Sequence, residues 1–165
     1  MHFLSTIKNL ASRLGSPVAR AMQRPYIVID AKIGQIFLSD VTEDLEFFVL
    51  KAFAKFSARN ESPVATTIRL GRFDMDNKGI KVERAFLGIG QFFNEHEMSE
   101  TLDVGGGKTV DGKLIVRLLT NRKNWPSTVT AGLHFVETYG TKIEPVLTTM
   151  SFSEEKPPSG GVFLR

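Results

Sequence analysis

Residues 40–58 constrain the fold more than any other stretch of this chain. Val41, Leu45, Phe48, Val49, Ala52, Phe53 and Phe56 recur at helical spacing, and Phe47, Leu50 and Ala54 widen the apolar stripe. Asp40 with Glu43 three residues on resembles a capping box, and Asp44 adds favourable charge in the first turn. The spacing predicts one long, deeply buried helix at the centre of the fold. Most of the rest reads as strand. Residues 26–38 form one strand with Gly34 marking a bulge or bend. Residues 65–70 and 80–86 form two strands joined through a tight turn at 76–79 into a hairpin. Residues 91–98 fit a short helix or an irregular loop. After a flexible joint at Gly105, Gly106 and Gly107, strands follow at 114–119, 128–139 and 143–152. The expected class is therefore α+β, a mainly antiparallel sheet packed on one long buried helix, with an N-terminal amphipathic helical arm. Residues 1–25 form the arm, 26–152 a single domain, and 153–165 a disordered tail rich in Pro and Gly.

Charge separates along the chain. The first 24 residues carry Lys8, Arg13, Arg20 and Arg24 and no carboxylate, while the other 141 hold 17 basic and 18 acidic groups. The net charge of +3 therefore comes from the leader, which points to an anionic partner. Phe3, Leu4, Ile7, Leu10 and Leu14 fall on one face of a helix ended by Gly15, with Lys8 and Arg13 beside or opposite them. Ser16-Pro17 can restart a short helical turn that Pro25 closes. Three readings stay open. The arm attaches to an anionic membrane surface or a partner; it is an organellar transit peptide, which has the same Arg-rich, acid-poor composition; or it packs on its own domain.

The chain contains no cysteine, which excludes disulfides, thiolate zinc sites and a cysteine nucleophile. No apolar run approaches the roughly 18 to 20 residues that span a bilayer. Familiar motifs fail on inspection. Gly107-Lys108-Thr109 ends like a phosphate loop, but Leu102 stands where that loop needs glycine, and a strand follows instead of a helix. Asp74-Met75-Asp76-Asn77-Lys78-Gly79 starts like a calcium loop, but Lys78 occupies a ligand position and Ala85 replaces the closing glutamate. His96 lacks the second histidine of a zinc protease helix. His134 reads as a surface or half-buried residue on the polar face of its strand. No Gly-x-Ser-x-Gly turn supports a serine nucleophile, so no catalytic residue, metal ligand or cofactor is expected. One loop remains: Arg122, Lys123 and Trp125, with Arg117 nearby, could meet phosphates and stack on a base, or form a solvated hairpin tip.

Over residues 27–50, a strand, then Ser39-Asp40-Val41, then an apolar helix, all behind a short basic N-terminus, resembles the matrix proteins of rhabdoviruses. The small size is similar to that of the plant-infecting members. The arm is less lysine-rich than in the animal-virus members, and Pro157-Pro158-Ser159 lacks the tyrosine of a Pro-Pro-x-Tyr motif. The resemblance implies a non-enzymatic, self-assembling structural protein without a small-molecule substrate. It would bridge an anionic membrane to a ribonucleoprotein, and would be found in the cytoplasm, at a membrane or in a virion. No individual site residue carries over. The arm residues Phe3, Leu4, Ile7, Lys8, Leu10, Arg13, Leu14, Arg20 and Arg24 stand as binding candidates on charge and periodicity alone.

Overall fold

Phe48–Asn60 is a strand, which replaces the long helix expected over 40–58. The parity of its burial shows why. Leu50, Ala52, Ala54, Phe56 and Ala58 point inward and are buried, whereas Lys51, Lys55, Ser57 and Arg59 point outward. That is a period of two. Two outward residues, Val49 and Phe53, are buried as well. They break the alternation and leave an apolar pattern that a helix fits equally well. Three alanines, good helix formers, serve here as small inward residues beside the large Phe56, Phe73 and Phe135.

The computed structural model describes residues 25–32, 34–41, 48–76, 78–79, 81–90, 93–121 and 126–153. Among them it is all-β, with strands β1 (Ile27–Ala31), β2 (Gly34–Val41), β3 (Phe48–Asn60), β4 (Thr66–Met75), β5 (Lys78–Gly79), β6 (Lys81–Ile89), β7 (Leu102–Val104), β8 (Thr109–Thr120), β9 (Thr128–Glu137) and β10 (Val146–Ser153). A 3₁₀ turn at Glu95–Glu97 is the one helical element of the described residues. The α+β class is thus corrected to all-β, and the strand-then-helix layout behind the matrix-protein resemblance is absent. The amphipathic helix expected within residues 3–14, the rest of the leader and the tail from 154 lie outside the described residues.

The strands form one sheet in the order β5-β4-β9-β10-β2-β3-β8-β6. β1 continues the line of β2 along the same edge of β3, and β7 adds to β4. Every pairing is antiparallel except β10 with β2. β4, next to the short terminal strand β5, packs beside the other terminal strand β6, so the sheet curls into a nearly closed barrel. The hairpin expected between 65–70 and 80–86 is corrected accordingly: β4 pairs with β9 and β6 with β8, and the turn at Asp76 joins β4 only to the short β5. The bulge in β2 falls between Leu38 and Asp40 rather than at Gly34. Gly34 instead permits close packing, since a Cβ there would lie 2.5 Å from the Phe53 carbonyl oxygen.

The barrel is filled by one apolar cluster that includes Ile36, Leu50, Phe56, Ile68, Phe73, Leu114, Leu133, Phe135 and Met150. Its polarity is the reverse of a transmembrane barrel, which carries an apolar outer band and a polar interior. A second, smaller cluster of Phe37, Phe53, Phe93 and Ile115 lies outside the barrel wall. Among the described residues no helix is long and apolar enough to cross a membrane.

Strand directions divide the barrel into two ends. Ile27 pairs with Asn60 at one end, the end where residues 1–24 join. Phe48 pairs with Thr120 at the other, where the segment between β8 and β9 connects. Asn60 ties the loops at the arm end together. Its amide donates to the Val64 and Val104 carbonyls at 2.7 and 3.2 Å, and its side-chain oxygen accepts from the Ser62 N–H and hydroxyl.

Candidate anion-binding surface

Of the candidate residues named from sequence, Arg117 falls within the described structure. Arg122, Lys123 and Trp125 lie outside it, as do all nine candidates of the leader. Arg117 sits on the outer wall, because β8 alternates like β3: Leu114, Val116 and Leu118 point in, and Lys113, Ile115 and Arg117 point out. The pairing of β3, β8 and β6 then sets like charges side by side. Lys51 is in register with Arg117, Arg117 with Arg84, and Lys55 with Lys113. Like charges directly opposite on a sheet face destabilise it by a few tenths of a kcal/mol to about 1 kcal/mol each. Between these rows lie Phe53, Ile115 and Phe86, and the Arg84 guanidinium stands 5.2 Å from the centre of the Phe86 ring.

The compensating charge comes from one short segment, residues 93–100, laid over the face. Glu95 meets Lys51 at 2.8 Å and Glu100 meets Arg84 at 3.1 Å. The charge of Glu97 favours the charged form of Lys113. From β6 itself, Glu83 lies 3.4 Å from Arg117 Nε, but that nitrogen is buried and makes no hydrogen bond. Lys113 is only 3% exposed. Burial pushes its ammonium below the ordinary lysine value, against the opposing pull of Glu97.

The segment is seated by apolar contacts. Phe93 packs edge-on against Phe53 with ring centres 5.5 Å apart, and Ser99 exchanges backbone hydrogen bonds with Leu87. Gly88 makes room for it, because a Cβ there would lie 2.8 Å from Met98 Cγ and 3.2 Å from Lys113 Cε. Sequence reading found Arg117 but missed Lys51, Lys55, Arg84 and Lys113. The available signal was the i, i+4 spacing of Lys51 with Lys55 and of Lys113 with Arg117, which keeps each pair on one face of a strand.

Two other polar clusters are structural in their geometry. Asp74 accepts from Arg72 Nε at 2.8 Å and meets His134 Nε2 at 2.8 Å across the β4–β9 pairing. The Arg72 hydrogen bond, against the opposing effect of burial and with help from His134, holds the Asp74 carboxyl below its usual value. Both carboxylate oxygens are engaged, so Asp74 is not an open calcium ligand. His134 is half-buried on the outer face, as its strand parity predicts.

Glu137 lines a groove of about 530 Å³ with Thr67, Ile68, Arg69, Thr101, Val136, Thr138 and Gly140. Its oxygens accept from the Thr66 hydroxyl and from the Tyr139 and Thr141 amides. The groove therefore holds a carboxylate already committed to capping the turn that follows β9. Among the described residues, no group of three or more His, Asp or Glu could hold a metal ion.

No protein-family model matches the chain, and no curated protein matches it. Among solved structures, it is similar to one described as the structure of the N-terminal domain of PorA. The TM-score is 0.37 at 15% sequence identity, covering 78% of this chain and 98% of that one. A likeness at that level bears on neither fold nor function.

Proposed function

We propose that this chain is a non-enzymatic adaptor that binds two anionic partners at separate places. The basic leader attaches one end of the barrel to an anionic membrane surface. The outer face around Arg117, and the segment that carries Arg122 and Lys123, meet a phosphate-bearing partner. The observation that carries this reading is that the two basic segments join the barrel at opposite ends of β3. The leader joins at Ile27, beside Asn60, and the 122–125 segment joins at Thr120, beside Phe48. β3 runs between these points with 13 residues, roughly 40 Å at ordinary strand rise. The Debye length at physiological salt is about 8 Å, so charges held at those two attachment points would not act on one another.

Replacing Lys8, Arg13, Arg20 and Arg24 with glutamine tests the first half. The intact chain is expected to co-sediment with vesicles containing phosphatidylserine and not with neutral vesicles. The variant should lose most of that binding, since each cation near such a surface is worth about 1 kcal/mol. Unchanged vesicle binding by the variant contradicts the assignment. N-terminal sequencing of the protein recovered from cells separates this reading from organellar import: cleavage near residue 24 favours import, and an intact Met1 opposes it.

A further inference from the structure

We propose that residues 93–100 are an acidic strap that occupies the binding face for a single-stranded nucleic acid, standing in for its phosphates. The inference deepens the reading above, since it assigns a ligand and a regulatory device to the Arg117 face.

Three observations carry it. First, the register of β3, β8 and β6 stacks cations on one another: Lys51 on Arg117, Arg117 on Arg84, and Lys55 on Lys113. A sheet face that needed only to be covered by a strap would gain nothing from repulsive cross-strand pairs. Such an arrangement is favourable when a polyanion lies along it.

Second, the strap supplies its carboxylates singly, each to a different cation, as a row of phosphates would. Glu95 pairs with Lys51 and Glu100 with Arg84. Arg117 takes its counter-charge from its own wall instead, with Glu83 Oε2 at 3.4 Å from a buried Nε that makes no hydrogen bond.

Third, the surface beneath the strap is aromatic as well as basic. Phe37, Phe53 and Phe86 lie on the outer wall, with Phe93 of the strap stacked edge-on against Phe53. Lifting Phe93 away would uncover rings flanked by Lys51, Arg84 and Arg117. Cations that track a backbone beside aromatic rings that stack on bases are the means by which proteins hold single strands without sequence preference. A lipid surface needs no such rings on the flat wall of a barrel.

The strap is held lightly enough to be displaced. Its ion pairs are partly exposed, with Glu95 at 28% and Glu100 at 64%, and pairs of that kind contribute at most about 1 kcal/mol each. Its other anchors are the burial of Phe93, the packing of Met98 and the backbone hydrogen bonds between Ser99 and Leu87.

The test uses the full chain and a fluorescently labelled 20-nucleotide oligouridylate, with affinity read by anisotropy at low and high salt. Gly88→Val lifts the strap without changing charge, because the added side chain meets Met98. E95Q/E97Q/E100Q removes the competing carboxylates. A control, E61Q/D103N/E144Q, changes the net charge equally at exposed positions on other elements. Both strap variants are expected to bind at least about tenfold tighter than the unaltered chain, the control less, and the gain should vanish on adding Lys51→Glu and Arg117→Glu. Circular dichroism establishes that each variant is folded.

The proposal is overturned if folded Gly88→Val binds no tighter, if the control gains as much as E95Q/E97Q/E100Q, or if the gain survives Lys51→Glu and Arg117→Glu. Gain for anionic vesicles but not for oligouridylate overturns the nucleic-acid assignment. These outcomes are independent of the leader, whose vesicle binding is scored separately.

Discussion

Phe56→Ala is expected to lower the unfolding free energy by about 3 to 5 kcal/mol, and Gly112→Ala, on the facing strand, by about 1 to 3 kcal/mol. The two effects should not add. Phe56 is 1% exposed and packs at 5.2 Å between ring centres against Phe135 in the middle of the barrel. Gly112 is in register with it on β8, and a Cβ at Gly112 would lie 2.3 to 2.8 Å from three atoms of the Phe56 ring. The ring therefore occupies the space that any side chain at 112 would need. With Phe56 cut to alanine that space is empty, and the methyl of Gly112→Ala becomes a partial filler. In the Phe56→Ala background the second change should cost nothing or stabilise. Urea denaturation of the four proteins of the cycle measures the coupling. Strictly additive midpoint shifts would show that the two residues do not share this space.

Glu137→Gln is expected to cost about 2 to 4 kcal/mol at neutral pH, with a pH dependence that identifies the cause. The Glu137 side chain is buried at 5% exposure and receives hydrogen bonds from the Tyr139 and Thr141 amides and the Thr66 hydroxyl. Burial alone would raise its carboxyl, but these donors together outweigh burial and hold it below the ordinary 4.5. A carboxyl depressed in the folded state adds stability that is fully present above its unfolded value and is lost as pH falls through its folded value. The gap between the natural chain and the glutamine variant should be constant from neutral pH down to about 5 and narrow below the ordinary glutamate value. Glutamine keeps the shape but turns an N–H toward donors that need an acceptor. A gap that stays the same at pH 3 would mean that the loss is one of packing rather than charge.

How far the sequence discloses this protein depends on the parity of particular residues. Most strand positions are legible, because Val129, Ala131, Leu133 and Phe135 alternate cleanly with polar neighbours and all four are buried. β3 is not. Phe53 and Val49 face outward yet are buried, and the alanines at 52, 54 and 58 mimic a helix, so a period of 3.6 fits as well as a period of 2. Part of what buries Phe53 is Phe93, some 40 positions on in the sequence and read there as part of a short helix or an irregular loop. Such a long-range contact leaves no local trace.

The same reason hides most of the candidate surface. Arg117 stood out because a basic loop follows it. Lys51, Arg84 and Lys113 lie on three different strands, and only the register of β3, β8 and β6 brings them together. The segregation of charge into the leader, by contrast, needs no fold to be read, because it is a property of composition.

The central claim is that two anionic partners bind this chain at separate places. It is tested most directly by flotation of phosphatidylserine-containing vesicles with the full chain and labelled oligouridylate together. The account predicts that the oligonucleotide floats with the vesicles only when the protein is present. It also predicts that glutamine at positions 8, 13, 20 and 24 leaves the oligonucleotide at the bottom of the gradient, bound to protein but not to vesicles. Competition, in which added oligonucleotide strips the protein from the vesicles in proportion to its binding, would contradict the claim and point to a single basic site.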